Sequence, residues 1–213
     1  MQTINLTKDF TMGGDGNILS SNISDGMHSV SKTIGGEFNY DFGNGWKLSE
    51  KARFSANSGQ FIAPFPASVG SYNDIISSVS GYNSAVYAGT NTAASTSGTY
   101  MLMHLFNTKL NNFNNFVNDF NLSKKWDGVK VNAGLYKGIQ NVSMSWLWNS
   151  YLQEVSDNNA RMIDVKNALG QSLSPNGLLA YGVPAWGNCC TRNYDTKYDV
   201  TAPYAQIEVN AID

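Results

Sequence analysis

Charge is scarce in this sequence. Asp, Glu, Lys and Arg make up 14% of its 213 residues, against about 25% in an ordinary soluble domain. The net charge is only −2, which leaves no electrostatic footprint for a nucleic-acid partner. Apolar runs are short, and none approaches the roughly 18 residues of a membrane helix. That excludes helical spans but leaves strand-built ones open, because barrel strands alternate and give a weak hydropathy signal. The opening stretch Met1–Asp9 has no basic start followed by an apolar run, so no secretory leader is read there. The chain is therefore expected to be either cytosolic or a piece of something longer.

Cysteine and histidine are nearly absent. Cys189 and Cys190 are adjacent and could bond to each other only through a small, strained ring. No Cys-x-x-Cys spacing or histidine cluster accompanies them, so no metal centre is expected. His28 and His104 lie far apart, and neither adjoins a Ser or Cys in a nucleophile motif. Gly13-Gly-Asp-Gly-Asn17 looks superficially like a calcium loop. It lacks the further ligands and distal Glu of an EF-hand and reads as a turn. Asp195 and Asp199 read as solvated loop charges rather than a catalytic pair. Neither an enzyme nor a cofactor follows from these residues.

What the chain does hold is aromatic side chains, at 12%, with long Asn-, Ser- and Gly-rich stretches. That mixture suits long strands with polar loops, in a membrane barrel or in a soluble β-sandwich or lectin-like protein. Two hairpins with tiny turns stand out. The first spans residues 29–60 and turns at Gly43-Asn44-Gly45. Ile34, Gly36, Phe38, Tyr40 and Phe42 share one face, continued after the turn by Trp46, Leu48, Ala52 and Phe54. A three-residue loop pairs Phe42 with Trp46. Asp41 then falls opposite Lys47 and Glu37 opposite Lys51, so opposite charges meet twice on the polar face. Glu50 lands on the apolar face, tolerable near a membrane interface or relieved by a bulge.

The second hairpin spans 113–141 and turns at Asp127-Gly128. Phe116, Phe120, Leu122 and Trp126 share a face, interrupted by Asn118 and Lys124. Pairing Trp126 with Val129 sets Phe120 against Leu135 and Phe116 against Ile139, and Lys125 against Lys130. Lys124 is placed to snorkel to headgroups. Trp46 and Trp126 flank the two short turns, as aromatic girdles do in outer-membrane barrels, although each also suits the end of a soluble core. A strand of about 13 residues, at about 3.3 Å each, is roughly 43 Å long. Tilted by about 40°, it rises roughly 33 Å, enough to cross an apolar band about 25 Å tall.

Long connections occupy residues 61–112 and 144–200 and read as loops, the second with a short helix and an extra strand over 146–155 and 161–169. Segments 30–42, 113–126 and 201–210 would run down, and 46–60 and 129–142 up. The predicted fold is thus all-β: an antiparallel transmembrane β-barrel segment of about five to six long strands, an incomplete barrel with long extracellular loops. Closure needs at least eight strands, and open edges are adhesive, so an internal fragment of a larger barrel is expected.

The residues Ser24-Asp-Gly-Met-His28, Gly35-Gly-Glu-Phe-Asn-Tyr-Asp-Phe-Gly-Asn-Gly-Trp-Lys-Leu48 and Ala52-Arg-Phe54 resemble the TonB-dependent outer-membrane receptors. So do Asn118-Asp-Phe-Asn-Leu-Ser-Lys124, Val131-Asn-Ala-Gly-Leu-Tyr136, Trp146-Leu-Trp-Asn149, Tyr151-Leu-Gln-Glu-Val155 and Ala202-Pro-Tyr-Ala205. The resemblance implies a 22-stranded barrel closed by a plug. It implies location in the outer membrane, lipid contact, and uptake of a scarce nutrient such as siderophore-iron, cobalamin or a saccharide. Energy would come from the TonB–ExbB–ExbD system acting on the plug. Residues 1–213 would then be a partial barrel domain, without plug, TonB box or closing strand. A passive porin-type channel would use the same strands. A soluble β-rich binding module or adhesin would instead pack its apolar faces on a second sheet.

Ligand contacts belong on the long loops and upper inner wall. Trp146, Trp148, Tyr151, Tyr181 and Trp186 are the aromatic candidates, with Arg192 for an anionic ligand. Each also suits packing of the loops on one another, or an outer girdle.

Overall fold

The structure, a computed structural model, describes residues 6–12 and 15–209. Most of the segment read for a leader, Met1–Asn5, and the first two residues of the calcium-like turn, Gly13 and Gly14, lie outside the described residues. Strand accounts for 68% of the described residues and helix for 6%, and the sheets are antiparallel, so the all-β expectation holds. The strands are β1 (Lys8–Met12), β2 (Ile18–Asn22), β3 (Met27–Gly43), β4 (Trp46–Ser71) and β5 (Ser84–Tyr87). They continue with β6 (Thr99–Asn112), β7 (Asn115–Trp126), β8 (Val129–Glu154), β9 (Ile163–Lys166), β10 (Leu178–Tyr181) and β11 (Arg192–Val209). A four-residue helix, α1, spans Tyr72–Ile75.

The chain divides into two compact units. One comprises Ser29–Gly59, Leu110–Ser143 and Asp195–Asp213. In it β3, β4, β7, β8 and β11 lie side by side in chain order, with β3 and β11 at the edges. The expected registers are present. Asp41 pairs with Lys47 at 3.3 Å and Glu37 with Lys51 at 3.5 Å. Thr33 bonds Ser55 and Ser31 bonds Asn57 in the same step. Gly43, Asn44 and Gly45 all take positive φ, which lets the tip reverse within three residues. Across β7 and β8, Trp126 faces Val129, Phe120 faces Leu135, Phe116 faces Ile139 and Lys125 faces Lys130. The pairing of β4 with β7, Trp46 on Lys124 through Ser55 on Asn115, joins the two hairpins into one meander.

The other unit comprises Met1–His28, Gln60–Lys109 and Met144–Tyr194. Here β6 lies between β4 and β8, and β10 pairs with β8, Tyr181 facing Asn149. The β1–β2 hairpin and the β5–β9 pair form two smaller sheets. Two apolar clusters fill the unit. Tyr72, Ile76, Tyr100, Leu152, Ile163 and Val165 belong to one, and Ile62, Met101, Met103, Leu105, Tyr151 and Met162 to the other.

These elements correct the reading of 61–112 and 144–200 as loops. β4 continues to Ser71, β6 fills Thr99–Asn112, β8 continues to Glu154, and β11 begins at Arg192. The physical reason lies in β6. Tyr100 enters one cluster while Met101, Met103 and Leu105 enter the other. A strand buried on both faces shows no alternation, so the period-two signal vanishes. The same holds at the end of β8, where Asn149 through Gln153 are all buried. Residues 146–155 and 161–169 contain no helix; they carry the end of β8 and β9. Asp195 and Asp199 are likewise in β11, not in a loop, and Asp199 pairs with Lys137.

Candidate functional site

Two features are candidates for function: the apolar face of the meander, and the aromatic cluster around Trp148. The face is built by alternation alone. β4 and β7 pair so that Trp46, Leu48, Ala52 and Phe54 lie among Phe116, Phe120 and Leu122. Many of its large side chains face outward: Phe38 is 56% exposed, Phe42 58% and Trp126 51%. Exposed apolar area of this extent marks a contact surface rather than ordinary protein exterior.

At the tip of this face, Lys124 sits between two indoles. Its Nζ lies 5.2 Å from the Trp46 ring centre and 5.6 Å from that of Trp126. It also donates to the Asn44 carbonyl. The ammonium is thus held where the chain turns, while its stem covers apolar surface.

The residues that interrupt the pattern find one another. Glu50 faces Phe120 in unbroken register, so no bulge forms there. Its carboxylate instead accepts from the Asn118 amide. Asn118 is paired with Lys137, and Lys137 forms an ion pair with Asp199 and bonds Thr201. A polar track, Glu50–Asn118–Lys137–Asp199, therefore crosses the apolar face. Each polar side chain is partnered, which lowers the cost of placing it among apolar neighbours.

Four of the six ligand candidates meet in the other unit. Trp148 packs edge-to-face on Trp186 at 5.4 Å and on Phe106 at 4.7 Å. Trp146 packs on Phe106 at 5.3 Å, and the Arg192 guanidinium lies 4.6 Å from the Trp146 ring. Phe61, Phe65 and His104 complete the cluster. Phe61, Phe65, His104 and Phe106 are not among the six sequence candidates, because nothing in a loop reading of 61–112 sets them on one face. Their even and odd spacing on β4 and β6 is the signal that a strand reading of that stretch would have used.

The remaining two candidates lie apart. Tyr181 is 67% exposed on β10. Tyr151 is buried, and its hydroxyl donates to Asp9 at 2.7 Å. Burial and the Asp9 carboxylate push its phenol well above the usual range. Asp9 itself is fully buried and also accepts from Asn149 at 2.7 Å and Asn107 at 2.9 Å. Tyr151 thus holds the β1–β2 hairpin on the sheet. Cys189 and Cys190 are exposed free thiols, and hydrogen bonding to Cys190 raises the Cys189 pKa.

Among the described residues, no group of three His, Cys, Asp or Glu side chains is placed to hold a metal. No described helix is long and apolar enough to cross a membrane, which says nothing of strands. Compared with models of protein families, with curated proteins and with solved structures, the chain finds no match.

Proposed function

We propose that this chain is part of the barrel wall of an outer-membrane TonB-dependent receptor that takes up a scarce nutrient. The observation that carries the reading is the outward apolar face of the meander, with Trp46 and Trp126 beside its short turns. Segments 30–42, 46–60, 113–126, 129–142 and 201–209 are the spanning staves. Over residues 46–59 of β4, at about 3.3 Å each, the strand is roughly 46 Å long. At a tilt near 40° this exceeds the apolar band of about 25 Å. The lipid partner is outer-membrane lipid, and the siderophore-iron, cobalamin or saccharide cargo passes inside the barrel. TonB–ExbB–ExbD act through a plug supplied by the rest of the protein. A passive porin-type channel would share the wall and lack the plug.

One observation favours a second reading, a soluble β-rich binding module or adhesin. The polar track of Glu50, Asn118, Lys137 and Asp199 would sit more comfortably at a protein interface than in hydrocarbon. Fractionation of cells carrying the full reading frame separates the two. The receptor reading expects the product in the outer membrane, resistant to carbonate extraction. Recovery in the soluble fraction would overturn it. An upstream plug with a TonB box separates receptor from porin.

A further inference from the structure

The unit built around β6 contains a cavity of about 590 Å³. Small-molecule sites occupy roughly 300–1,000 Å³. Strands β6 and β8 form its floor through Leu102, His104, Ser150 and Leu152. Most of the remaining wall is apolar, including Leu179 and Val183. The rim carries exposed Asp74, Ser78 and Ser80.

His104 is 3% exposed. Its Nδ1 lies 3.0 Å from Ser150 Oγ, and that Oγ lies 2.8 Å from the Gly182 carbonyl. A carbonyl only accepts, so the single hydroxyl proton of Ser150 goes to Gly182. Nδ1 must then donate to Ser150, which fixes the ring proton on Nδ1. Burial holds the His104 pKa below its usual 6.5, so the ring is neutral at pH 7. A neutral ring protonated at Nδ1 presents Nε2 as a bare acceptor. Among the described residues nothing donates to it. His104 lines the cavity, so this acceptor is available to a donor that enters it.

The rim has its own free group. Asp74 Oδ2 accepts from both the backbone N–H and the hydroxyl of Ser71. These bonds hold the Asp74 carboxyl below the usual range and leave Oδ1 without a donor among the described residues. The cavity therefore combines a neutral acceptor on its floor, aliphatic walls and an exposed carboxylate at its rim.

We propose that this cavity binds a small amphiphilic amine. Its apolar body lies along Leu102, Leu152 and Val183, a hydroxyl or N–H at its buried end donates to His104 Nε2, and its ammonium faces Asp74. The proposal does not rest on the receptor reading. A soluble product that bound such amines would sink that reading and leave this one standing.

Trp186 provides the readout, since its ring lies 4.9 Å from His104. Full-length protein is titrated by tryptophan fluorescence with tyramine and its longer-chain (aminoalkyl)phenol homologues. The phenyl analogues without the hydroxyl, and the carboxylate analogues without the amine, serve as comparisons. At least one phenol amine is expected to saturate, with its phenyl analogue about tenfold weaker, the worth of one buried hydrogen bond. His104→Leu is expected to erase that tenfold difference while the phenyl amine still binds. Asp74→Asn is expected to erase the preference for amine over carboxylate. The proposal is overturned if no chain length saturates, or if phenol and phenyl amines bind the native protein equally. That last comparison needs no variant, so it decides the matter even if His104→Leu does not fold.

Discussion

The Tyr204 hydroxyl donates a 2.7 Å hydrogen bond to Asp119. β11 pairs with β8, and Asp119 is on β7, one strand further. The ring crosses β8 at Gly134, where any Cβ would collide with it. A glycine on one strand thus lets a tyrosine tie two others together. Tyr204→Phe is expected to cost about 1 kcal/mol, the usual net value of one hydrogen bond. Gly134→Val is expected to cost more, since it displaces the whole ring. Thermal unfolding of the two variants measures both, and equal midpoints would deny the crossing any structural role.

Asn118 donates a hydrogen bond to the Glu50 carboxylate on a largely apolar face. Replacing Asn118 with Leu leaves the carboxylate without its donor. The expected loss is about 1–3 kcal/mol. The double variant Glu50→Leu/Asn118→Leu should recover most of it, because both polar groups are then gone. A double-mutant cycle reads the coupling, and additivity would show that the two side chains act independently.

Tyr151→Phe tests whether this residue is structural. Removing one of three donors to a buried carboxylate is expected to destabilise by about 1.5–3 kcal/mol. On the receptor reading, ligand uptake should be unchanged at temperatures where the variant stays folded. On that reading, a loss of uptake without a loss of stability would make Tyr151 a ligand contact.

His104 predicts a pH dependence. Its folded pKa is depressed by burial, so the unfolded chain binds the proton more readily. Its contribution to stability is full above the ordinary value of 6.5 and is lost as pH falls through the lowered folded value. Unfolding midpoints of the native protein should therefore drop below pH 6.5 more steeply than those of His104→Leu. Parallel curves would contradict this. Asp74, on the same cavity, is already ionised throughout that range.

The exposed thiols report topology. On the receptor reading Cys189 and Cys190 lie on the outer loops. A membrane-impermeant maleimide should label them in intact cells at pH 8, where the raised Cys189 thiol still reacts. With both replaced by Ser, a cysteine introduced by Asp127→Cys should label only after the outer membrane is opened. Labelling of that site in intact cells would invert the orientation.

The hairpins were legible because one face of each is apolar and the other wet. Alternation then sets register, and the charge pairs Asp41–Lys47 and Glu37–Lys51 confirm it from the opposite face. β6 was illegible for the converse reason: Tyr100 and Met101 point to opposite clusters, so both faces read as apolar. The Asp9 network left no local trace either, since its partners Asn107, Asn149 and Tyr151 are remote in the chain. Trp146, Trp148 and Trp186 could be nominated from their type alone. That Phe106 and His104 join them depends on strand pairing.

The edges at β3 and β11 carry a consequence for assembly. Each presents a row of peptide N–H and C=O groups, and hydrocarbon offers nothing for them to bond. Every group left open there costs several kcal/mol. On the receptor reading, these staves cannot enter lipid one hairpin at a time. Insertion and closure must be a single event, with each strand crossing only as its neighbour arrives.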